Sequence, residues 1–289
     1  MKTNDGPTAE DKFVLKGVWI MKESIYLRAN SGAEATRQRR TFGRMLYSHE
    51  QFFRLVESRA SISRDSSVLE MACGCGLMAN EAQLRWGCRT EGWDNNASYI
   101  ETARHNFPRI KFKKIGFMDN VPTAKNIDLI IFREALMECQ QPDKVLKWSA
   151  KLMGKGGWIS ALEPDYGATI MYPEMPCWQD FLEKYGRYCK NKGENFFMGR
   201  ALLDSFQRAG LRKISVQPIC EINTCLDPGK FSEFVEIEAF SIEADMAYFA
   251  KHLGLSTSHI KKTIDALRQL PKQKGAYLQT MMVAICGQV

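Results

Sequence analysis

The chain has 289 residues, 45% hydrophobic and 25% charged, and 40 Lys+Arg against 33 Asp+Glu give a formal charge of +7. This is ordinary globular usage with enough length for a sizeable core, which sets aside disorder and fibrous repeats. The positive charge leaves nucleic acid, a membrane surface, an anionic ligand or nothing specific open.

Met1 to Lys16 is polar and lacks an apolar signal core, and residues 1–15 read as a polar tail. Residues 31–58 read as a long helix. Ser31 and Glu34 have capping-box spacing, and Phe42, Met45, Leu46, Phe53 and Val56 follow a helical stripe. The basic run Arg37, Arg39 and Arg40 lies on or beside it. From Ser67 short apolar strands alternate with helices. Strands are expected over 68–72, 90–93, 110–115, 128–132 and 158–163, and helices over 78–85, 97–106 and 142–153. This alternation argues for a parallel sheet wrapped by helices. The last third adds a helix over 202–209, a strand over 213–219, a mostly helical stretch over 231–270 and a final strand over 277–286. No apolar run is long enough to span a membrane. Nine scattered cysteines, an odd count, fit a reducing cytosol better than a disulfide framework, so a cytoplasmic location is expected.

The stretch Val68-Leu69-Glu70-Met71-Ala72-Cys73-Gly74-Cys75-Gly76 is a strand running into Gly-x-Gly before a helix. Such a turn brings bare backbone close to a ligand at a helix N-terminus. Twenty residues past Gly74 stands Asp94, an acid able to accept from both hydroxyls of a ribose. Two ligands compete. Gly74-x-Gly76-x-x-Ala79 satisfies a dinucleotide fingerprint. Glu70 would repel a pyrophosphate, whereas it suits the cationic amino group of S-adenosylmethionine.

Four segments in order carry a resemblance. They are Glu70-Met71-Ala72-Cys73-Gly74-Cys75-Gly76, Gly92-Trp93-Asp94-Asn95-Asn96 with the helix to Arg104, Ile127 to Met137, and Leu152-Met153-Gly154-Lys155-Gly156-Gly157-Trp158. Together, from about Val68 to the C-terminus, the chain resembles the class I S-adenosylmethionine-dependent methyltransferases of small-molecule type. The resemblance implies a doubly wound, Rossmann-like α/β fold with a seven-stranded, mostly parallel sheet whose last strand is antiparallel. It implies N-terminal tail and lid helices over 1–60 and a methyltransferase domain over 61–289. Residues 231–270 would be a helical insertion before the last strand, forming part of the substrate cover. S-adenosyl-L-methionine is the implied cofactor, held by Glu70, Ala72, Cys73, Gly74, Gly76, Asp94, Asn95, Phe117, Met118 and Arg133. Phe117 stands where the family has an acid near the adenine, unless the register slips and Asp119 serves.

Candidates for a general base are Glu134 and Glu138 after the fourth strand, Asp165 and Tyr166 after the fifth, and Tyr26 and His49 near the N-terminus. Glu134, Tyr166 and His49 lead. The other histidines, His105, His252 and His259, also fall on expected helices and read as surface or capping residues. No metal is expected, since Cys73 and Cys75 lack zinc-site spacing. The basic clusters, including Lys111, Lys113, Lys114, Lys261 and Lys262, lack interleaved aromatics and do not read as a nucleic-acid platform. A Met- and aromatic-rich loop (Tyr166, Met171, Tyr172, Met175, Trp178) suits an apolar or planar substrate and a sulfonium. The expected function is methyl transfer to an oxygen, nitrogen or carbon of a small apolar or aromatic molecule. The alternatives are a methyltransferase acting on RNA or protein, a non-catalytic S-adenosylmethionine-binding partner protein and, last, a dehydrogenase. A homo-oligomer is left open.

Overall fold

A computed structural model describes residues 12–15, 18–21, 43, 45–120 and 126–289. Tyr26, Ser31, Glu34, Arg37, Arg39, Arg40 and Phe42 lie outside the described residues.

The first described elements correct the polar-tail expectation. Strand β1 (Lys12–Leu15) pairs antiparallel with β2 (Val18–Met21). Both are short runs of β-branched and aromatic residues, which suit a pleated ribbon. Helix α1 (Leu46–Glu57) is the described part of the expected N-terminal helix. It is not a lid. Phe52, Phe53 and Val56 are fully buried with Val68, Leu129, Ile131 and Ala284 of the sheet. Their i, i+1, i+4 spacing makes the apolar face that requires such burial.

The main sheet has eight described strands. Its parallel part comprises β3 (Ser67–Met71), β4 (Arg89–Asp94), β5 (Lys111–Lys114), β6 (Ile127–Arg133) and β7 (Met153–Pro164), in the order β5-β4-β3-β6-β7. Helices α2 (Leu77–Trp86), α3 (Ala97–Asn106) and α4 (Pro142–Ala150) connect them. The order reverses between β3 and β6, where open α/β sheets bind ligands beyond the strand ends. β6 is apolar on both faces: Leu129 and Ile131 join the α1 side, Ile130 and Phe132 the α4 side.

β7 starts earlier than the expected 158–163, because Met153 already pairs with Ile127 and a register irregularity follows. The glycine-rich segment around Gly156 is therefore an irregular stretch within the strand, with φ +81° at Gly156. The expected helix over 142–153 accordingly stops at Ala150.

Strand β10 (Tyr277–Gln288) runs antiparallel to β7 on one side and to β9 (Arg212–Thr224) on the other. This is the late antiparallel pair that the resemblance implied. An added short strand, β8 (Ile170–Tyr172), also pairs with β10.

The expected loop after β7 is instead β8 followed by helix α5 (Pro176–Lys192). Pro176 at its first turn and Gly193 (φ +82°) past its end are the helix signals there. Helix α6 (Met198–Arg208) then packs on the α4 side of the sheet. Between β9 and β10 lie α7 (Pro228–Ala244), α8 (Met246–Leu253) and α9 (Thr257–Gln269). Phe231, Val235, Ile260 and Ile264 form a separate apolar cluster there with Met175 and Phe181, and Met171 and Trp178 pack against it. This helical cluster thus draws on α5 as well as on residues 231–270.

Candidate active site

The turn after β3 is shaped by three left-handed residues, Ala72 (φ +53°), Gly74 (φ +50°) and Gly76 (φ +81°). It is closed by Cys73 N–H donating to the Trp93 carbonyl at 2.9 Å and Gly76 N–H to the Cys73 carbonyl at 2.8 Å. A Cβ at Gly76 would lie 2.6 Å from Cζ of the buried Phe112 ring, so glycine is required there for space as well as for φ. Cys73 and Cys75 are buried, and burial pushes the Cys73 thiol far up, so these cysteines fill the turn. Among the described residues no group of three His, Cys, Asp or Glu is placed to hold a metal.

Two carboxyl groups flank the turn. Asp94 ends β4, 7% exposed. Its Oδ2 accepts from Gly74 N–H at 2.9 Å and its Oδ1 from Asn96 N–H at 2.8 Å. Each oxygen has a second lone pair, so the backbone aims the carboxylate and leaves it able to accept from a ligand. The neighbouring Asn95 is exposed beside Gly116, while Asn96 caps α3.

Glu70 sits one strand over, 4% exposed, its Oε2 accepting from Ala79 N–H at 2.7 Å. It therefore occupies the first turn of α2, which a pyrophosphate would need. Burial raises its carboxyl to about 8, with the Ala79 amide and Arg133 pulling the other way.

Arg133 ends β6. Its Nε donates to His49 Nε2 at 3.0 Å, and its Nη2 ion-pairs with Glu134 at 2.8 Å. This corrects the role expected of His49. Its side chain is 2% exposed and lies behind Arg133, and it does not line the cleft. Arginine can only donate, so Nε2 is the acceptor and the imidazole is neutral with its proton on Nδ1. Burial, with Arg133 adding to it, holds its pKa well below the usual value. A general base must reach the acceptor; His49 instead reaches Arg133.

Glu134 and Tyr166 do come together. With Asp165, Glu221, Glu238 and Met281 they line a partly open cleft. Tyr166 is stacked on Phe196 at 4.4 Å between ring centres. Asp165 is 1% exposed and held by Arg200 through two hydrogen bonds of 2.7 Å, which takes up a carboxylate considered as a base. Glu138 does not line this cleft. Beyond β5, Phe117 is half-buried against Phe132, with ring centres 6.0 Å apart. Met118 is 54% exposed with φ +66°. Asp119 turns back to accept from Gly116 N–H at 2.6 Å, which leaves Phe117 the inward residue of this segment.

Three acids escaped the sequence reading: Glu221, Glu238 and Glu163. Glu163 stands near the C-terminal end of a parallel strand, as Asp94 does, and that was the available signal. Burial pushes its carboxyl up to about 8, against the pull of three backbone amides. Glu221 and Glu238 lie on β9 and α7, remote in sequence from every motif.

A family model described as a methyltransferase domain matches residues 42–216. The chain belongs to the methyltransferase-domain family. Its sheet order and late antiparallel pair agree with the class I methyltransferase fold implied by the four motifs. Solved structures similar to it include geranyl diphosphate C-methyltransferase from Streptomyces coelicolor A3(2), in complex with Mg2+, geranyl diphosphate and S-adenosyl-L-homocysteine. That match has 14% identity and a TM-score of 0.52, over 91% of this chain and 86% of that one. A geranyl diphosphate methyltransferase in complex with SAM matches at 15% identity and TM-score 0.51, over 92% and 94% of the two chains. The YcgJ protein from Bacillus subtilis matches at 12% identity and TM-score 0.53, over 83% and 98%. Likeness at these identities is a likeness of fold. No curated protein sequence matches the methyltransferase. Among the described residues no helix is long and apolar enough to cross a membrane.

Proposed function

We propose that this methyltransferase transfers the methyl group of S-adenosylmethionine to an oxygen, nitrogen or carbon of a small molecule bound in the cleft beside Glu134 and Tyr166. One observation carries the cofactor reading: two buried acids, Asp94 and Glu70, flank a left-handed glycine turn, and Glu70 takes the helix amide that a pyrophosphate would use. The donor set fits a ribose on Asp94 and an ammonium near Glu70. Gly74 and Gly76 supply close backbone, with Ala72, Cys73 and Asn95 around them. Phe117 and Met118 offer an aromatic and a thioether surface to the adenine. Arg133 stands at the methionine end.

When bound, the cofactor supplies a methyl group made electrophilic by its sulfonium. The protein's part is alignment of the acceptor and exclusion of water. Glu134 and Tyr166 line the cleft and can take a proton where the acceptor must lose one. Glu221 of β9 and Glu238 of α7 add two more acids to the lining beside Glu134 and Asp165, which favours a small acceptor over polyanionic RNA. Incubation with methyl-labelled S-adenosylmethionine and separate pools of small hydroxyl, amine and activated-carbon compounds, RNA and protein tests this. Label is expected in a small-molecule pool. Label confined to RNA or protein contradicts the reading.

Glu70 gives the binding step a pH signature. In the free protein its carboxyl titrates near about 8, and a neighbouring ammonium favours the ionised form. Binding of S-adenosylhomocysteine, which keeps that ammonium, should release a proton between about pH 6 and 8 and tighten as pH rises through this window. Folding raises the same pKa from 4.5 to about 8, so the group's contribution to ligand-free stability declines as pH rises across that interval and is constant above it. Calorimetry in buffers of different ionisation enthalpy measures the proton. Glu70→Gln should abolish its release; an unchanged proton count in that variant would assign it elsewhere.

A further inference from the structure

Glu163 lies at the C-terminal end of β7 with no exposed surface. Its carboxylate faces the segment that leaves β6. Oε1 accepts from the N–H groups of Ala135 at 2.9 Å and Leu136 at 2.8 Å, and Oε2 from that of Met137 at 3.3 Å. The preceding amide, Glu134 N–H, donates to the Leu162 carbonyl at 3.0 Å. Four successive amides are thus held by two successive residues of β7. The Met137 carbonyl is tied in turn by Asn195 N–H at 2.7 Å.

The clamp has something to hold. Glu134 has φ +48°, a left-handed conformation that glutamate rarely adopts and that persists where surrounding contacts impose it. Arg133, immediately before it, pairs with the Glu134 carboxylate and lowers the pKa of Glu70 through its charge. Both carboxyl oxygens are engaged by these amides, Oε1 by two and Oε2 by one. A glutamine of the same shape would turn a donor towards one of them.

We propose that Glu163 is a positioning residue for the methionine end of the cofactor, setting through these amides the exit of β6, where Arg133 is paired with Glu134 and its charge acts on Glu70. This rests on the reading of the Glu70–Asp94 turn as the S-adenosylmethionine site. It predicts a division between two ligands. S-adenosylhomocysteine has both the nucleoside and the amino-acid tail, whereas 5′-methylthioadenosine lacks the tail. Calorimetric titration of full-length Glu163→Gln should show the former weakened by about tenfold or more and the latter within about twofold of the parent. Glu163→Asp, which keeps the carboxyl but draws it back by one methylene, should divide the ligands in the same direction. It serves alone if the glutamine variant does not fold. Equal losses for both ligands would reduce Glu163 to a general support of the fold, and unchanged affinities would remove it from the site; either result overturns the inference. A parent protein that binds neither ligand would overturn the cofactor reading itself, and this inference with it.

Discussion

Replacing Asp94 by alanine is expected to weaken S-adenosylhomocysteine binding by roughly 100-fold or more, an effect made of two parts. Hydrogen bonds from hydroxyls to an ionised carboxylate are worth about 1.5–3 kcal/mol each, and the proposed ribose presents two. The same carboxylate also braces the turn, accepting from Gly74 N–H and Asn96 N–H. The alanine variant loses both parts, so the ligand meets a turn that is no longer held. Asp94→Asn separates them. It keeps an acceptor oxygen for one amide but places a donor against the other and cannot accept from both hydroxyls. Its loss should approach that of alanine. Calorimetry checks both variants, and an affinity within about twofold of the parent would contradict the assignment of Asp94 to the ribose.

Gly76→Ala is expected to destabilise the folded protein by about 2–5 kcal/mol. A Cβ in the left-handed region costs roughly 1–2 kcal/mol. Forcing extra volume into a packed core costs roughly 1–3 kcal/mol more. Here the new carbon would meet Phe112 Cζ at 2.6 Å and Cε1 at 2.8 Å. The ring has little room to retreat, because it is already close against Gly92, where a Cβ would lie 2.7 Å from its Cδ1 and Cε1. Phe112 is itself 3% exposed and packed with Ile100, Ala103 and Ile110. Denaturant unfolding gives the cost directly. Combining Gly76→Ala with Phe112→Leu should recover part of it, since the two changes share one contact and will not add. A single-variant loss below about 0.5 kcal/mol would show that the turn can move away from the ring.

What the sequence made legible follows from local chemistry. The parallel strands announced themselves as short apolar runs buried on both faces, β6 most clearly. Asp94 and Glu70 could be found because each closes a strand beside a glycine turn. Contacts made at long range were harder to read. Nothing local distinguishes a His49 that lines a lid from one that is buried on α1 as the acceptor of an arginine 84 residues away. Phe52, Phe53 and Val56 fit a lid helix or a core helix equally well; only the sheet face opposite them decides.

Helix α5 was legible and was passed over. Trp178, Phe181, Tyr185 and Tyr188 recur at intervals of three and four after Pro176, a helical stripe whose aromatic content suggested a binding loop. In the structure Trp178, Phe181 and Tyr185 stack in succession, Phe181 and Tyr185 meet Phe249 of α8 edge-on, and Tyr188 meets Tyr248 of the same helix edge-on. The acids on β9 and α7 illustrate the opposite limit. Glu221 and Glu238 reach the cleft through the antiparallel return of the sheet and the helices inserted within it, which bring together positions that share no local pattern.

The charge of +7 also takes a definite place. Lys111, Lys113 and Lys114 lie on β5 at one end of the sheet order, whereas Lys261 and Lys262 lie on α9 in the cover beyond the other end. The cleft is lined by Glu134, Asp165, Glu221 and Glu238. Among the described residues the positive clusters are therefore separate from the cleft, and its lining is acidic.

The cofactor site is tested most directly by titrating the parent protein with S-adenosylhomocysteine and with NAD in the calorimeter. The arrangement of Glu70, Asp94 and the turn from Ala72 to Gly76 predicts saturable binding of S-adenosylhomocysteine and none of NAD. Tighter binding of NAD, or no binding of the homocysteine ligand, would contradict it.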